Sequence, residues 1–371
     1  MSKTLQSAKL EWAKIDEIIQ KRKVLITCGT GGVGKTTLSA AIALRAALDG
    51  KKAVVITIDP AKRLITSLGL HEEETALGNH PMDLTSKIQE AIQKTGYSIE
   101  LKGSLDAIVP DTRHTFENFI RELSPSESIA QKVMSNPIFQ IFAKEFSGTN
   151  EYMALERLYS LIKQNKYDLI VLDTPPSRNT LAFLNAPKVL VQFFEERMIK
   201  WLVLPANKLV AAGMRKALGI LENLTGAGFM THLFEFASSL FEIRARFTTN
   251  LNSIMKTLES DQVGFMMVTV PAPDLIPETF HFIETLERLH FHFDGVAINR
   301  TLSYLQKTED SEKSENLALA HKIIEGLQQK ERQALKDHTI PLCGKLPELA
   351  RDVHSLEDLL HVAMAFHANL S

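Results

Sequence analysis

The chain has 371 residues, and 42 Lys and Arg against 44 Asp and Glu leave a formal net charge of −2. That balance argues against a basic nucleic-acid binder and against an acidic solvating tail. With 44% hydrophobic and 23% charged residues, the composition is that of a globular protein with a sizeable core. Two cysteines, Cys28 and Cys343, are too few for a disulfide framework or a four-cysteine metal site and point to a reducing compartment. The first residues lack the apolar core of a secretory signal. The longest apolar stretch, Trp201 to Met214, is interrupted by Pro205, Asn207 and Lys208, so no transmembrane helix is expected. A soluble cytoplasmic protein is the expectation.

Along the chain, Leu5, Trp12, Ile15, Ile18 and Ile19 recur at helical spacing and predict an amphipathic helix leading into the first strand. Short apolar runs then alternate with helical stretches: Val24 to Cys28, Ala53 to Ile58, Asp168 to Leu172, Val263 to Val270, Gly295 to Ile298 and Ile340 to Cys343. Their Val and Ile content suits strands buried on both faces. Alternation with helices implies a doubly wound, mainly parallel sheet, an α/β fold. Two segments break the rhythm, 111–148 and 187–258, and predict a helical insertion lobe. Residues 1–110, 149–186 and 259–371 would then form the domain that carries the sheet. The segment Gln306 to Asn316 is charged and lacks aliphatic residues, which predicts a surface loop.

The strongest signal follows the first strand. Gly29, Gly34, Lys35 and Thr36 match GxxxxGK[ST] between a predicted strand and a predicted helix, the context this phosphate-binding loop requires. Across Gly29, Thr30, Gly31, Gly32, Val33 and Gly34 the glycines let backbone N–H groups turn toward phosphate oxygens. Lys35 reaches the outer phosphates, and the Thr36 hydroxyl, followed by Thr37, opens the helix where Mg²⁺ can be held. A nucleoside triphosphate is the predicted ligand. A guanine-specific NKxD run is missing after the late strand, where Asn299-Arg300-Thr301 stands, which favours ATP over GTP.

GTGGVGKTT resembles the deviant phosphate loop KGGVGKTT of the dimeric ATPases that include arsenical-pump, tail-anchored-protein-targeting, Min and Par proteins. ITIDPAKRLITSLGL is similar to the switch I segment of the first two groups, and YDLIVLDTPPSRNTLAFL to their Walker B and switch II segment. VTVPAPDLIPETFHFIETLERL, VAINR and GKLPELARDVHSLEDL resemble their late strands and C-terminal base-binding loop. The chain thus resembles a single-unit member of the arsenical-pump and tail-anchor-targeting ATPase family over most of its length. The resemblance implies that Asp59 orients the attacking water. Thr36, Asp59 and Asp173 would surround Mg²⁺, with Asp173 as the Walker B carboxylate. Asn299 would meet the adenine, with Leu346 and Pro347 closing over it. Such a site suits phosphoryl transfer, which needs positioned phosphates, a metal and an oriented nucleophile.

The sequence departs from the family in four places. Thr30 stands where the signature lysine, which reaches the partner's nucleotide, is expected; Thr carries no charge. Switch I carries Lys62 and Arg63, and switch II carries Arg178 in place of the usual Gly. Arg178 or Arg63 is therefore a candidate replacement charge, the alternative being two surface arginines paired with carboxylates. The family's zinc-ligating CxxC is missing after Arg300, so neither zinc nor an iron–sulfur cluster is expected. The two cysteines read as small buried hydrophobes, and the histidines have no ligand spacing.

In the lobe, Leu233, Phe236, Leu240, Ile243, Phe247, Leu251, Ile254 and Leu258 form a helical stripe that serves either core packing or a client groove. Upstream, Met214, Leu218, Leu221, Leu224, Phe229 and Met230 are candidates for a groove accepting hydrophobic protein segments. The expected protein is a Mg²⁺-dependent ATPase and nucleotide switch, homodimeric, partnered by a hydrophobic segment or a membrane protein and not by nucleic acid. The alternatives are a Par- or Min-like positioning ATPase, or a regulatory ATPase without a hydrophobic client.

Overall fold

The computed structural model describes residues 14–58, 63–70, 80–109, 112–137, 139–140, 149–175, 184, 228–302, 315–336, 341–349 and 352–365. Residues 14–21 (α1) are helical and bury Ile15, Ile18 and Ile19. The chain then alternates strand and helix: β1 (Val24–Cys28), α2 (Lys35–Leu48), β2 (Lys52–Thr57), α3 (Arg63–Ser67), β3 (Met82–Asp83), α4 (Thr85–Thr95) and β4 (Ser104–Ile108). There follow α5 (Thr112–Leu123), α6 (Glu127–Ser135), α7 (Thr149–Gln164), β5 (Leu169–Asp173) and α8 (Phe229–Leu258). The last elements are β6 (Val263–Thr269), α9 (Leu275–Arg288), β7 (Phe293–Thr301), α10 (Glu315–Lys336), β8 (Leu342–Pro347) and α11 (Leu356–Ala365).

The eight strands form one sheet in the order β3-β4-β2-β5-β1-β6-β7-β8. All neighbours run parallel except the edge pair β3–β4. The chain moves to one side of β1 before β5 fills the gap, then to the other side with β6. That reversal opens a crevice at the carboxyl ends of the central strands, where α/β sheets bind ligands. The expected α/β fold is therefore present. Leu25, Val55, Val171, Val268 and Ala297 belong to the core shared with α2, α4 and α11. α2 is buried nearly throughout because it is built from Ala, Leu and Ile and lies on the sheet centre.

All six predicted strands exist, with ends shifted by up to four residues. β3 and β4 are not among the predicted strands. β4 carries Asp106 in its middle, only 8% exposed, which interrupts the apolar run a buried strand usually shows. Tyr167 Oη donates to Asp106 Oδ2 at 2.5 Å and Lys166 Nζ at 3.3 Å, so the carboxylate keeps partners. Of the predicted loop Gln306–Asn316, residues 306–314 lie outside the described residues, and Glu315 and Asn316 open α10 instead.

The chain divides into two compact units, 1–109, 161–181 and 258–371 around the sheet, and 110–160 with 182–257. The sequence places residues 149–160 with the sheet; in the structure they group with the helical unit instead. Glu156 gives the reason: it is 7% exposed and accepts from Asn250 Nδ2 of α8 at 2.5 Å. Within this unit the predicted stripe packs inward: Phe236, Ile243, Phe247, Leu251 and Ile254 are all buried. Phe247 meets Phe119 of α5 edge-on at 5.4 Å, and Phe236 meets Phe139 at 6.3 Å. For these residues the structure selects core packing.

The amino ends of the central strands are tied by a buried ion pair. Arg22 and Asp294 side chains are 3% and 8% exposed. Arg22 Nε donates to Asp294 Oδ2 at 2.9 Å, an Nη to Oδ1 at 2.6 Å, and the other Nη to the Asp261 carbonyl at 2.5 Å. A Cβ at Gly264 would lie 1.8 Å from Asp294 Oδ2, so this close approach requires glycine.

Cys28 and Cys343 are both buried, and burial pushes each thiol up to about 12. Neither should react with a thiol reagent at pH 8 until the chain unfolds, which timed labelling in native buffer and in denaturant will check. Removing one partner of the ion pair strands a buried charge. Asp294→Ala should cost about 3 to 5 kcal/mol in denaturant unfolding, with partial recovery when Arg22→Met is added.

Candidate nucleotide-binding site

The phosphate loop occupies the crevice after β1, and its glycines answer to specific neighbours. Gly29 has φ +154, and a Cβ there would sit 2.2 Å from the Val268 carbonyl oxygen of β6. Gly34 has φ +87, and its Cβ would fall 2.2 Å from Asn299 Nδ2. The loop is thus pressed between the carboxyl ends of β6 and β7, leaving no room for side chains at either end. α2 opens at Lys35 with no side-chain cap and no acidic residue in its first turn. Its first N–H groups therefore keep their capacity for an anionic ligand. Thr30 is 8% exposed, and Lys35, 7% exposed, folds back so that Nζ donates to the Thr30 carbonyl at 2.7 Å.

Sheet register builds the other half. Thr27 of β1 pairs with Asp173 of β5, which pairs with Thr57 of β2. Residues in one such row point to the same face, here the face carrying α2. Asp173 is fully buried. Its Oδ2 accepts from Thr36 Oγ1 at 2.7 Å and from Thr57 Oγ1 at 3.0 Å. Thr27 Oγ1 lies 2.6 Å from Ser39 Oγ, which donates to the Lys35 carbonyl at 2.7 Å, and Thr174 Oγ1 donates to the Thr27 carbonyl at 2.7 Å. Thr36 and Asp173 offer only oxygen ligands, the donor set a small hard cation such as Mg²⁺ takes. On that chemistry the residues fit the metal. No group of three or more His, Cys, Asp or Glu side chains suited to a metal occurs among the described residues.

A cleft of about 520 Å³, its open mouth included, lies beside the start of α2. Gly34, Thr37, Asn299, Leu346, Pro347 and Val353 are among its lining residues. Asn299 Nδ2 donates to the Val33 carbonyl at 2.8 Å, while its Oδ1 accepts from Arg300 N at 2.9 Å. Arg300 takes φ +58, a left-handed conformation uncommon for a long side chain.

Of the residues singled out in the sequence, Gly29 through Thr37 and Asp173 meet at the carboxyl end of β1. Asn299, Leu346 and Pro347 meet in the adjoining cleft. Asp59, Lys62, Arg178, Met214, Leu218, Leu221 and Leu224 lie outside the described residues, as do the side chains of Arg63, Phe229 and Met230. Thr27, Ser39, Thr57 and Thr174, whose hydroxyls complete the network, are not among the residues singled out in the sequence. Thr57, last in its strand and two residues before Asp59, is the one with a positional signal.

A family model for anion-transporting ATPases matches residues 22–365. The chain belongs to the anion-transporting ATPase family. It is 25% identical over 286 residues to "ATPase ASNA1 homolog 1" of Paramecium tetraurelia, covering 76% of each chain. It is 21% identical over 352 residues to "Putative arsenical pump-driving ATPase 1" of Aquifex aeolicus, covering 94% of this chain and 79% of that one. A shorter match, 30% identical over 172 residues, joins it to "ATPase GET3" of Malassezia globosa, covering 46% and 44%. The resemblance read from the motifs is therefore correct, and the protein is an ATPase. No helix among the described residues is long and apolar enough to cross a membrane.

For this ATPase the glycine geometry makes a sharp contrast. Gly34→Ala combines a positive φ with a Cβ driven into Asn299 and should weaken ATP binding by at least about tenfold. Gly32→Ala meets nothing within 4 Å and bears only its φ of +80. It should cost a few-fold at most, as titration calorimetry with ATP will measure.

Proposed function

We propose that this ATPase is a Mg²⁺-dependent, homodimeric nucleotide switch whose ATP state governs binding of a hydrophobic protein segment or of a membrane-protein partner. The observation that carries the reading is the Thr36–Asp173 contact at 2.7 Å, which joins the phosphate loop to the strand leading into Thr174 and Pro175. A change at the phosphates is thereby felt at the start of the following segment, the arrangement a nucleotide switch needs.

The roles follow from the residues. Backbone N–H groups of Gly29–Gly34 and the start of α2 would bind the phosphates. Lys35 would exchange the Thr30 carbonyl for phosphate oxygens. Thr36 and Asp173, with Asp59, would hold Mg²⁺, which when bound neutralises charge on the β- and γ-phosphate oxygens. Asp59 would orient the attacking water. The adenine would enter the cleft between Asn299 and the Leu346–Pro347 turn. Arg178 or Arg63 would supply the charge that Thr30 cannot, and an added arginine at such a centre is worth about 10³- to 10⁵-fold in rate. Met214, Leu218, Leu221, Leu224, Phe229 and Met230 would form the client groove. A relative named as an arsenical pump-driving ATPase supports coupling to another protein.

The test is ATP-dependent capture of a hydrophobic tail segment by the purified protein, with Asp59→Asn holding ATP unhydrolysed. Capture in ATP, lost in Lys35→Ala and on polar substitution of Phe229 and Met230, is the expected result. Lys35→Ala should also lower hydrolysis by about 100-fold or more. Failure of capture with ATP binding intact would remove the client and leave an ATPase with a different partner. Light scattering with and without ATP checks the dimer; a monomer in both conditions would sink that part of the reading.

A further inference from the structure

Two residues beyond Asn299, β7 ends on a carboxylate that no motif marks. Glu331 of α10 is only 4% exposed. Its Oε1 accepts from the Thr301 hydroxyl, and its Oε2 accepts from Leu302 N at 2.9 Å. One turn earlier on the same helix, Gln328 Nε2 donates to the Leu302 carbonyl at 2.7 Å. A carboxylate taken out of water is tolerated only when donors meet its oxygens. Here both oxygens are met, and both donors belong to one pair of consecutive residues.

Those two residues connect to both walls of the cleft. Thr301 follows Asn299 and Arg300, which line one wall, and its carbonyl accepts from Glu348 N at 3.0 Å. Leu346, Pro347, Glu348 and Leu349 line the other. Arg300, in its left-handed conformation, is flanked on one side by Asn299 Oδ1 and on the other by the Thr301 anchorage. The phosphate-side contacts run instead through β1, β5 and α2.

We propose that Glu331 is a positioning residue for the base cleft: through Thr301 and Leu302 it sets the spacing of the two cleft walls and supports the nucleotide base rather than the phosphates. This rests on the reading of the cleft as the base site. The hold comes from α10, whose Glu331 and Gln328 contact Thr301 and Leu302 and take no part in the Thr36–Asp173 network described above.

The experiment titrates the full-length protein with ATP and with inorganic tripolyphosphate, which has phosphates but no base. In the wild type, ATP should bind at least about tenfold more tightly than tripolyphosphate, the difference measuring what the base adds. Glu331→Ala should lose most of that advantage, with tripolyphosphate affinity unchanged and kcat held while KM for ATP rises. Glu331→Gln should keep the advantage to within about threefold, because its oxygen accepts from Leu302 N–H while its NH₂ donates to the Thr301 hydroxyl. Thr301→Val, nearly isosteric, should lose part of it while keeping the strand folded. Persistence of the full advantage in Glu331→Ala and Thr301→Val would overturn the positioning role alone. A parallel fall in tripolyphosphate affinity would do the same by showing a general loss of structure. Equal wild-type affinity for the two probes would overturn the cleft reading, and this proposal with it.

Discussion

Register between parallel strands is the constraint on which this site depends. Because β1, β5 and β2 pair with Thr27, Asp173 and Thr57 in one row, the buried carboxylate emerges on the α2 side, level with the first turn of that helix. A slip of one residue would turn Asp173 to the opposite face, and the 2.7 Å bond to Thr36 could not form. Strands buried on both faces leave little freedom for such a slip, since every position of β1 and β5 is enclosed. Chemistry at the crevice therefore inherits its precision from the apolar packing beneath it.

The two ends of the sheet use polar groups differently. At the amino ends, Arg22 and Asp294 satisfy each other and the Asp261 carbonyl, a closed arrangement with glycine clearing space. At the carboxyl ends, hydroxyls from Thr27, Thr36, Ser39, Thr57 and Thr174 surround the loop and Asp173. Hydroxyls can both donate and accept and can turn without moving the backbone. They suit a place where partners change on ligand entry. The fixed guanidinium–carboxylate fork suits the end that only has to hold the strands together.

Much of this was legible because the relevant signals are local. A glycine-rich loop between an apolar run and an Ala-rich helix identifies itself, and Asp173 stands directly after its own strand. Asn299, Leu346 and Pro347 were reachable only through resemblance, since they come from distant parts of the chain. The structure then brought them into one cleft. β4 was hidden because Asp106 breaks its apolar run, and only tertiary contact with Tyr167 and Lys166 makes that aspartate acceptable in a strand. Glu331 was hidden for a similar reason: on a charged helix one glutamate looks like any other until its neighbours are known. The Leu233–Leu258 stripe was visible as a helix whose face was expected to pack a core rather than a client, and Phe119 and Phe139 opposite Phe247 and Phe236 show what it packs against.

The bond between Lys35 and the Thr30 carbonyl closes the phosphate loop on itself, because donor and acceptor lie at its two ends. It holds the ammonium group inside the curve of the loop, where the backbone N–H groups also converge. On the proposed function, a triphosphate would exchange one acceptor for another at a group already in position, so little chain entropy would be lost on binding.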